Sequence, residues 1–232
     1  MITVRRGNER GTTKFDWLDS RHTFSFGDYH DPKHMGFSDL RVINEDKVIA
    51  GGGFPTHSHR DMEIITYVIA GVLAHKDSTG TSSVIRVGDV QRMSAGTGIS
   101  HSEYNASQIE PVHFLQIWIV PNETGLAPGY EQRSFDLQTK GGRWVLVAAS
   151  NARDGAVKVH QEAELYFASL RKGEQISYSP KSGRRAWLQV VHGRMTLNSS
   201  PLQAGDGAAI NDEGLLNLTA VDHSEVLLFD LS

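Results

Sequence analysis

The hydrophobic residues of this chain fall into short runs that are rich in β-branched and aromatic side chains. Most runs are bounded by Gly, Asp, Asn or Pro, which favour turns between strands. The clearest runs are residues 40–43, 63–69, 83–87, 112–120, 144–147, 165–170, 186–191 and 226–229. Helical periodicity is scarce and indicates one or two short helices, near Asp16–Ser20 and in the middle of the chain. The pattern predicts an all-β protein built from antiparallel barrels or sandwiches.

The two halves of the chain share a weak internal repeat. In the first half a strand ends at Gly71 and a hairpin leads to Gly88-Asp89, and in the second half a strand ends at Gly193 and leads to Gly205-Asp206. Gly-Asp turns are also common in β proteins without a repeat. The repeated order of strand, turn glycine, strand and Gly-Asp nevertheless favours two related β-barrels.

The join between the two barrels is predicted from loop-forming residues. Residues 121–129 contain two prolines and two glycines, which punctuate regular structure. We therefore expect an N-terminal domain over residues 1–125 and a C-terminal domain over residues 126–232.

Composition and charge narrow the functional class. The 232 residues are 39% hydrophobic and 22% charged, which provides for a core and excludes a disordered chain. With a net charge of −4 and no basic block, direct contact with nucleic acid is not expected. The absence of cysteine excludes disulfides, cysteine-bound zinc and a thiol nucleophile. Without a signal peptide or a run near the ~18 apolar residues that span a bilayer, we expect a cytoplasmic protein with no membrane contact.

Histidine is abundant, with 11 residues, and two pairs of side chains carry candidate chemistry. His57 and His59 are two residues apart, and so are His101 and Glu103. Residues i and i+2 of a strand point to the same face, so two neighbouring strands can bring three imidazoles and one carboxylate together. This donor set suits divalent Fe, Ni, Mn, Cu or Zn. A lone His-x-His also arises by chance, but the second, glycine-flanked pair favours a metal site.

The segments that hold these pairs resemble the two motifs of the cupin superfamily, and more closely those of the pirin family of bicupins. The first motif is matched by Gly51, His57, His59 and Glu63, and the second by Gly98, His101 and Asn105. Pirin hallmarks occur at residues 22–32, 57–63 and 93–103, and the second half resembles the shorter, bacterial flavonol-dioxygenase-like members. The motif glycine at Gly71 comes one residue late. The resemblance implies a bicupin of two jelly-roll barrels with a few short helices.

The resemblance also implies the metal ligands, which would be His57, His59, His101 and Glu103. Glu63 occupies the position of a glutamate ligand in many other cupins but generally not in pirins. We expect it to orient an imidazole N–H or to act as an acid or base, with a plain strand residue as the alternative. One divalent transition metal is expected, iron before nickel, manganese, copper, zinc or cobalt. Because the second half lacks a His-x-His pair, we expect no metal there.

Four further residues are candidates for the substrate pocket. Phe114, Gln116 and Trp118 share one face of a strand, and a glutamine between aromatic residues is unusual for a core. Gln116 is expected to bond either a ligand near the metal or a buried backbone group, and Trp118 to line the same pocket. Phe54 and Met93 are candidate apolar walls, with core packing as the alternative reading for each.

The remaining histidines receive no role in the site. His22, His30 and His34 lie in an aromatic-rich segment that we expect to form an ordered loop over the barrel mouth. His75 and His160 have no partner at ligand spacing.

The resemblance implies quercetin 2,3-dioxygenase activity, in which O₂ opens the central ring of a flavonol and carbon monoxide is released. Glu103 is the expected proton acceptor for the substrate hydroxyl, with Glu63 as the alternative base. The expected partners are a small aromatic substrate and O₂. Two alternatives are a redox-sensitive regulatory module that binds a protein partner, and a dioxygenase for a different small enolizable substrate.

Overall fold

The structure, a computed structural model, describes residues 1–136 and 141–232. Within these residues the chain forms twenty-two strands and two 3-10 turns, at Gly7–Glu9 and Arg153–Gly155. The first twelve strands are β1 (Ile2–Arg5), β2 (Gly11–Phe15), β3 (Leu18–His22), β4 (Leu40–Val48), β5 (Gly53–His59), β6 (Glu63–Ala70), β7 (Val72–Asp77), β8 (Ser82–Arg86), β9 (Asp89–Ser94), β10 (Ile99–Asn105), β11 (Val112–Ile119) and β12 (Gly129–Ser134). The remaining ten are β13 (Val145–Ala149), β14 (Val157–Lys158), β15 (Glu164–Leu170), β16 (Gln175–Tyr178), β17 (Arg185–His192), β18 (Arg194–Leu197), β19 (Ser200–Gln203), β20 (Gly207–Ile210), β21 (Leu216–Ala220) and β22 (Ser224–Leu231).

Each half of the chain contributes one seven-stranded and one four-stranded sheet. The first half has the orders β12-β9-β6-β11-β4-β3-β2 and β5-β10-β7-β8. The second half, together with β1 from the N-terminus, has the orders β1-β20-β17-β22-β15-β13-β14 and β16-β21-β18-β19. Neighbouring strands are antiparallel apart from the short β13–β14 pair. The predicted all-β fold with two barrels is confirmed.

The main hydrophobic core lies between the two seven-stranded sheets. Ile65 and Ile117 of the first sheet join Phe167 and Phe229 of the second in one cluster of buried side chains. Side chains alternate across a strand, so the residues beside these core positions point into the barrels. The packing therefore leaves the inner face of the first barrel available for polar residues.

Where one domain ends and the next begins stays a prediction. Strand β1 pairs with β20 in the sheet of the second half, and β12 pairs with β9 in the sheet of the first half. Strands on both sides of the predicted boundary at residue 125 thus complete the first barrel, and the N-terminal strand completes the second. We propose that the division falls after β12.

The helix predicted near Asp16–Ser20 is wrong. Residues 16 and 17 form the turn of the β2–β3 hairpin, and β3 begins at Leu18. Leu18, Ser20 and His22 are buried whereas Arg21 is exposed, an alternation of period two that only a strand produces. Among the described residues, no helix is long and apolar enough to cross a membrane.

The Glu45 carboxylate on β4 makes hydrogen bonds with Arg10, which precedes β2, and with His113 on β11. One carboxylate oxygen accepts from Arg10 at 2.7 Å and the other lies 2.8 Å from Nε2 of His113. Burial raises the pKa of Glu45, but the bond to His113 and the Arg10 guanidinium outweigh this effect and bring the pKa to about 2. The carboxylate form is therefore the one that stabilises the fold.

We expect Glu45→Gln to lower the free energy of unfolding at pH 7 by about 1–3 kcal/mol, a pKa shift of this size discounted for screening. Because the pKa is lower in the folded state, the carboxylate stabilises the fold above about pH 5, and this contribution is lost toward about pH 2. Urea unfolding of both proteins at neutral and acidic pH measures the effect. A difference that does not shrink in acid would contradict the electrostatic origin.

Candidate metal centre

Strands β5 and β10 of the small sheet carry the four predicted ligands. They pair antiparallel, with His57 directly opposite His101. The ring centroids of His57, His59 and His101 lie between 4.5 and 4.9 Å from one another. A ring nitrogen of each lies within 4.8 Å of the others. The structure thus brings the three predicted imidazoles to one point.

Glu103 stands at the edge of this cluster. It belongs to a second group, with His101 and His75, whose ligand atoms also lie within 4.8 Å of one another. The β5–β10 register shifts between His101 and Glu103, which is a bulge of the kind that redirects a side chain. Among the described residues no group within that distance contains all four predicted ligands, so ligation by Glu103 stays a prediction.

Glycines allow the ligand strands to approach their neighbours. A Cβ at Gly53 would lie 2.4 Å from the carbonyl oxygen of Glu103, so only glycine lets β5 lie this close to β10. Gly96 has φ +48° and a Cβ there would lie 2.0 Å from the Leu126 carbonyl oxygen. The turn that leads into β10 is therefore restricted to glycine.

His59 and His101 are neutral at physiological pH. Burial lowers the pKa of His59 to about 4, and the neighbouring His57 lowers it further. Burial also lowers the pKa of His101 to about 3, with additional contributions from His57 and His59. Nδ1 of His57 lies 2.8 Å from the Pro55 carbonyl oxygen, which can only accept a hydrogen bond. His57 therefore carries its proton on Nδ1 and presents the Nε2 lone pair, which is the form that binds a metal.

The spacing of two ring nitrogens fits a shared cation. Nε2 of His59 lies 3.0 Å from Nε2 of His101. Two imidazoles that bind one ion at ~2.1 Å and at right angles would be about 3 Å apart. At this separation two lone pairs repel unless a proton or a cation lies between them. The donor set present therefore fits a divalent transition ion.

His75 supports the cluster from behind, a role that the sequence analysis missed. Nε2 of His75 lies 2.9 Å from an Asp77 carboxylate oxygen, and Nδ1 of His75 lies 3.5 Å from Nδ1 of His101. Because the carboxylate accepts from Nε2–H, Nδ1 of His75 can accept from His101. This chain leaves the lone pair of His101 on Nε2, where the other imidazoles lie. The sequence does contain a signal for this role, because His75 and Asp77 are two residues apart on β7, which pairs with β10.

Gln116 holds the carboxylate of Glu103. Its Nε2 donates to Oε2 of Glu103 at 2.8 Å, and both side chains are buried. Burial raises the pKa of Glu103, while the bond from Gln116 acts in the opposite direction. The structure thus gives Gln116 a side-chain partner that neither reading from sequence named, and a bond from Gln116 to a ligand stays a prediction.

A cavity of about 420 Å³ opens beside the imidazole cluster. One wall holds His57, His59 and Glu103, and the facing wall holds residues of β2, β3, β4 and β11. Its apolar lining consists of Phe15, Leu18, Phe26, Phe54, Pro55 and Trp118. This volume and this mainly aromatic surface suit a planar, drug-sized ligand.

The segment before β4 contributes to the mouth of this cavity. Phe26, Gly27 and Asp28 belong to its lining. The Phe26 ring packs edge-on against Trp118 with centroids 5.3 Å apart. Trp118 in turn packs edge-on against His59, with centroids 5.0 Å apart. The segment is thereby linked through two aromatic contacts to a predicted ligand.

Three of the predicted site residues lie outside the cavity lining, namely Met93, Glu63 and the cluster member His101. Met93 is fully buried in a cluster with Ile64, against which Trp118 packs, so it supports a wall without forming one. The Glu63 carboxylate accepts from the backbone N–H of His160 at 3.2 Å and lies 3.3 Å from Nδ1 of the same residue. The structure therefore directs Glu63 toward the second half of the chain.

Comparison with protein families finds two matches. The pirin model matches residues 3–119, and the model of the quercetinase C-terminal cupin domain matches residues 146–231. Together they account for most of both barrels and agree with the bicupin fold.

Full-length relatives give the same result. The chain is 53% identical over 232 residues to quercetin 2,3-dioxygenase from Escherichia coli, covering 100% of this chain and 99% of the relative. The solved structure of a bacterial pirin from Escherichia coli, in complex with nickel(II), is 51% identical with TM-score 0.95, covering 100% of this chain and 99% of that one. A quercetin 2,3-dioxygenase structure from Acinetobacter baumannii, 20% identical, covers 99% of this chain and 85% of its own with TM-score 0.82, and it shows the fold alone. This chain belongs to the pirin family.

Proposed function

We propose that this protein is a metal-dependent dioxygenase that opens the central ring of a flavonol with O₂ and releases carbon monoxide. The observation that carries the proposal is the cluster of three imidazoles beside a cavity of about 420 Å³ with aromatic walls. Membership in the pirin family and the 53% identity to a quercetin 2,3-dioxygenase support it.

The residues present fit a divalent transition ion held by His57, His59 and His101, with Glu103 as the proposed fourth ligand. When bound, such an ion would supply Lewis acidity and a path for electrons between substrate and O₂. Iron is the metal expected from the sequence, and the nickel(II) complex of the related pirin supports nickel as its competitor.

The side chains of this chain bind and orient the substrate. Phe54 and Trp118 offer flat apolar surfaces to the rings of a flavonol. Gln116 fixes the Glu103 carboxylate, and Glu103 is the proposed acceptor of the substrate hydroxyl proton. Phe26 adds a further apolar ring to the lining of the cavity. Glu63 is the less favoured base because its carboxylate faces His160.

The direct test is aerobic incubation of quercetin with protein reconstituted separately with Fe, Ni, Mn or Cu. We expect loss of the flavonol absorbance together with one equivalent of carbon monoxide with at least one of these ions. Metal-stripped protein is the control. Absence of turnover with every ion would contradict the proposal and favour the regulatory module.

His101→Ala is expected to abolish metal retention and to reduce turnover by at least about 10³-fold, because it removes the ligand shared by both groups of donors. Elemental analysis after gel filtration measures the bound metal. His192→Ala, which changes an exposed histidine of the second half, is the matched control and should retain it. Stoichiometric metal and full activity in His101→Ala would disprove the assigned centre.

Asp77→Asn should weaken metal binding by about 10-fold, because the amide is a poorer acceptor and no longer orients the His75–His101 chain. Competition with a chromogenic chelator measures the affinity. Asp16→Asn, at an exposed position, serves as the control. An affinity equal to that of the unchanged protein would limit His75 and Asp77 to a packing role.

A further inference from the structure

A row of polar side chains crosses the inner face of the first barrel, opposite the metal cluster. His22 pairs with Asn44, Asn44 with Gln116, and Gln116 with Thr66 across four neighbouring strands. Asp46 lies two residues beyond Asn44 on β4, so it shares this face. Asn44 and Asp46 both line the cavity and are only 3% and 4% exposed.

The hydrogen bonds of His22 fix the orientation of Asn44. Nδ1 of His22 lies 2.8 Å from Oδ1 of Asn44, and Nε2 of His22 lies 2.9 Å from the Thr13 hydroxyl. Burial lowers the pKa of His22, so the neutral ring donates from Nδ1 and accepts at Nε2. The amide of Asn44 is thereby held with Nδ2 as its free donor. Within the described part of the chain this nitrogen has no hydrogen-bond partner.

Asp46 is left incompletely bonded on the same strand. The Ser20 side chain on β3 acts to lower its pKa, but Oδ1 has no partner among the described residues. Burial raises the pKa of Asp46 to about 7, and the nearby Glu103 and Glu45 carboxylates add to the effect. No cation offsets this group in the described lining of the cavity. An unpaired carboxyl in this position is costly, which suggests that a ligand completes its bonding.

We propose that Asn44 and Asp46 form a recognition subsite for a hydroxyl group of the substrate, on the wall opposite the metal ligands. Small adjustment of the substrate and of Asp46 lets the hydroxyl donate to the carboxyl, while its oxygen accepts from Nδ2 of Asn44. This inference rests on the proposed function. It assigns the wall that binds a hydroxyl at one end of a polyhydroxylated aromatic substrate, whose other end is held by the metal site.

The complementarity explains why the wall is polar. A single hydroxyl group is both donor and acceptor, and the pair offers one acceptor and one donor two residues apart. A substrate that lacks the hydroxyl would leave both buried groups unpaired, so the subsite discriminates against it. The flanking aromatic walls contribute affinity without this discrimination.

Binding of two probes tests the subsite independently of turnover. Quercetin carries hydroxyls on its outer rings, whereas 3-hydroxyflavone keeps only the hydroxyl and carbonyl of the ring that opens. We expect the protein to bind quercetin about 10- to 100-fold more tightly in fluorescence titrations, the effect of one or two buried hydrogen bonds. Titrations are made with metal-loaded and with metal-stripped protein.

Asp46→Leu should reduce the preference to near one by weakening quercetin binding and leaving 3-hydroxyflavone binding unchanged. Asp46→Asn keeps the size and an acceptor oxygen of the side chain and should give an intermediate preference, so the test remains possible if the leucine variant misfolds. Asp19→Leu removes a carboxylate from the outer face of β3 and should keep the preference of the unchanged protein. The thermal midpoint of folded Asp46 variants should not fall, because an unpaired buried carboxyl is removed.

The outcomes separate this inference from the proposed function. Turnover of quercetin with equal binding of the two probes, or an equal loss for both probes in the Asp46 variants, would overturn the subsite alone. Hydroxyl-dependent binding that needs Asp46, without turnover on any metal, would support the subsite and overturn the dioxygenase. Absence of binding by either probe would contradict both.

Discussion

The close approach of the imidazoles of His57, His59 and His101 is the constraint on which this site depends. His59 and His101 approach to 3.0 Å between ring nitrogens, at a distance where two charged rings would repel strongly. Burial first, and the neighbouring rings second, keep both pKa values at or below about 4. The arrangement is therefore competent for a cation over the whole physiological pH range. It also requires that β5 and β10 keep their register, because a shift of one residue between them would separate the rings.

The fold holds these strands in place because the outer face of the first barrel is also buried, where it packs against the second barrel. Ile117 on β11 enters the core between the two large sheets, while the adjacent Gln116 reaches Glu103 inside the barrel. The second barrel thus stabilises the strands of the first from outside. Its contacts with Glu63 through His160 lie at the same interface. Polar side chains can then occupy the barrel interior at lower cost to stability.

Period-two spacing made the ligand pairs predictable, because two residues on one strand face share a direction whatever the strand pairs with. Residues that meet only through sheet register were not predictable in this way. His75 lies beside His101 because β7 pairs with β10, and no local pattern announces that pairing. Asn44 was not identified for the same reason, since its neighbours His22 and Gln116 are brought to it by the pairing of β4 with β3 and with β11. The helix near Asp16–Ser20 failed because a short polar stretch carries little periodicity, and pairing with β2 decided its conformation.

The acidic side chains of the cavity lining also favour the binding of a cation. Asp28, Asp46 and Glu103 line the cavity, and the described lining contains neither lysine nor arginine. The Glu103 carboxylate contributes to the raised pKa of Asp46, and carboxyl groups without a counter-charge repel an anionic substrate. A divalent cation held by His57, His59 and His101 would reverse this field at one wall and would leave the facing wall acidic. A substrate with an acidic hydroxyl at one end and neutral hydroxyls at the other matches both walls. A dianionic substrate does not match the wall with Asp46, because the unpaired oxygen of that carboxyl group needs a hydrogen-bond donor.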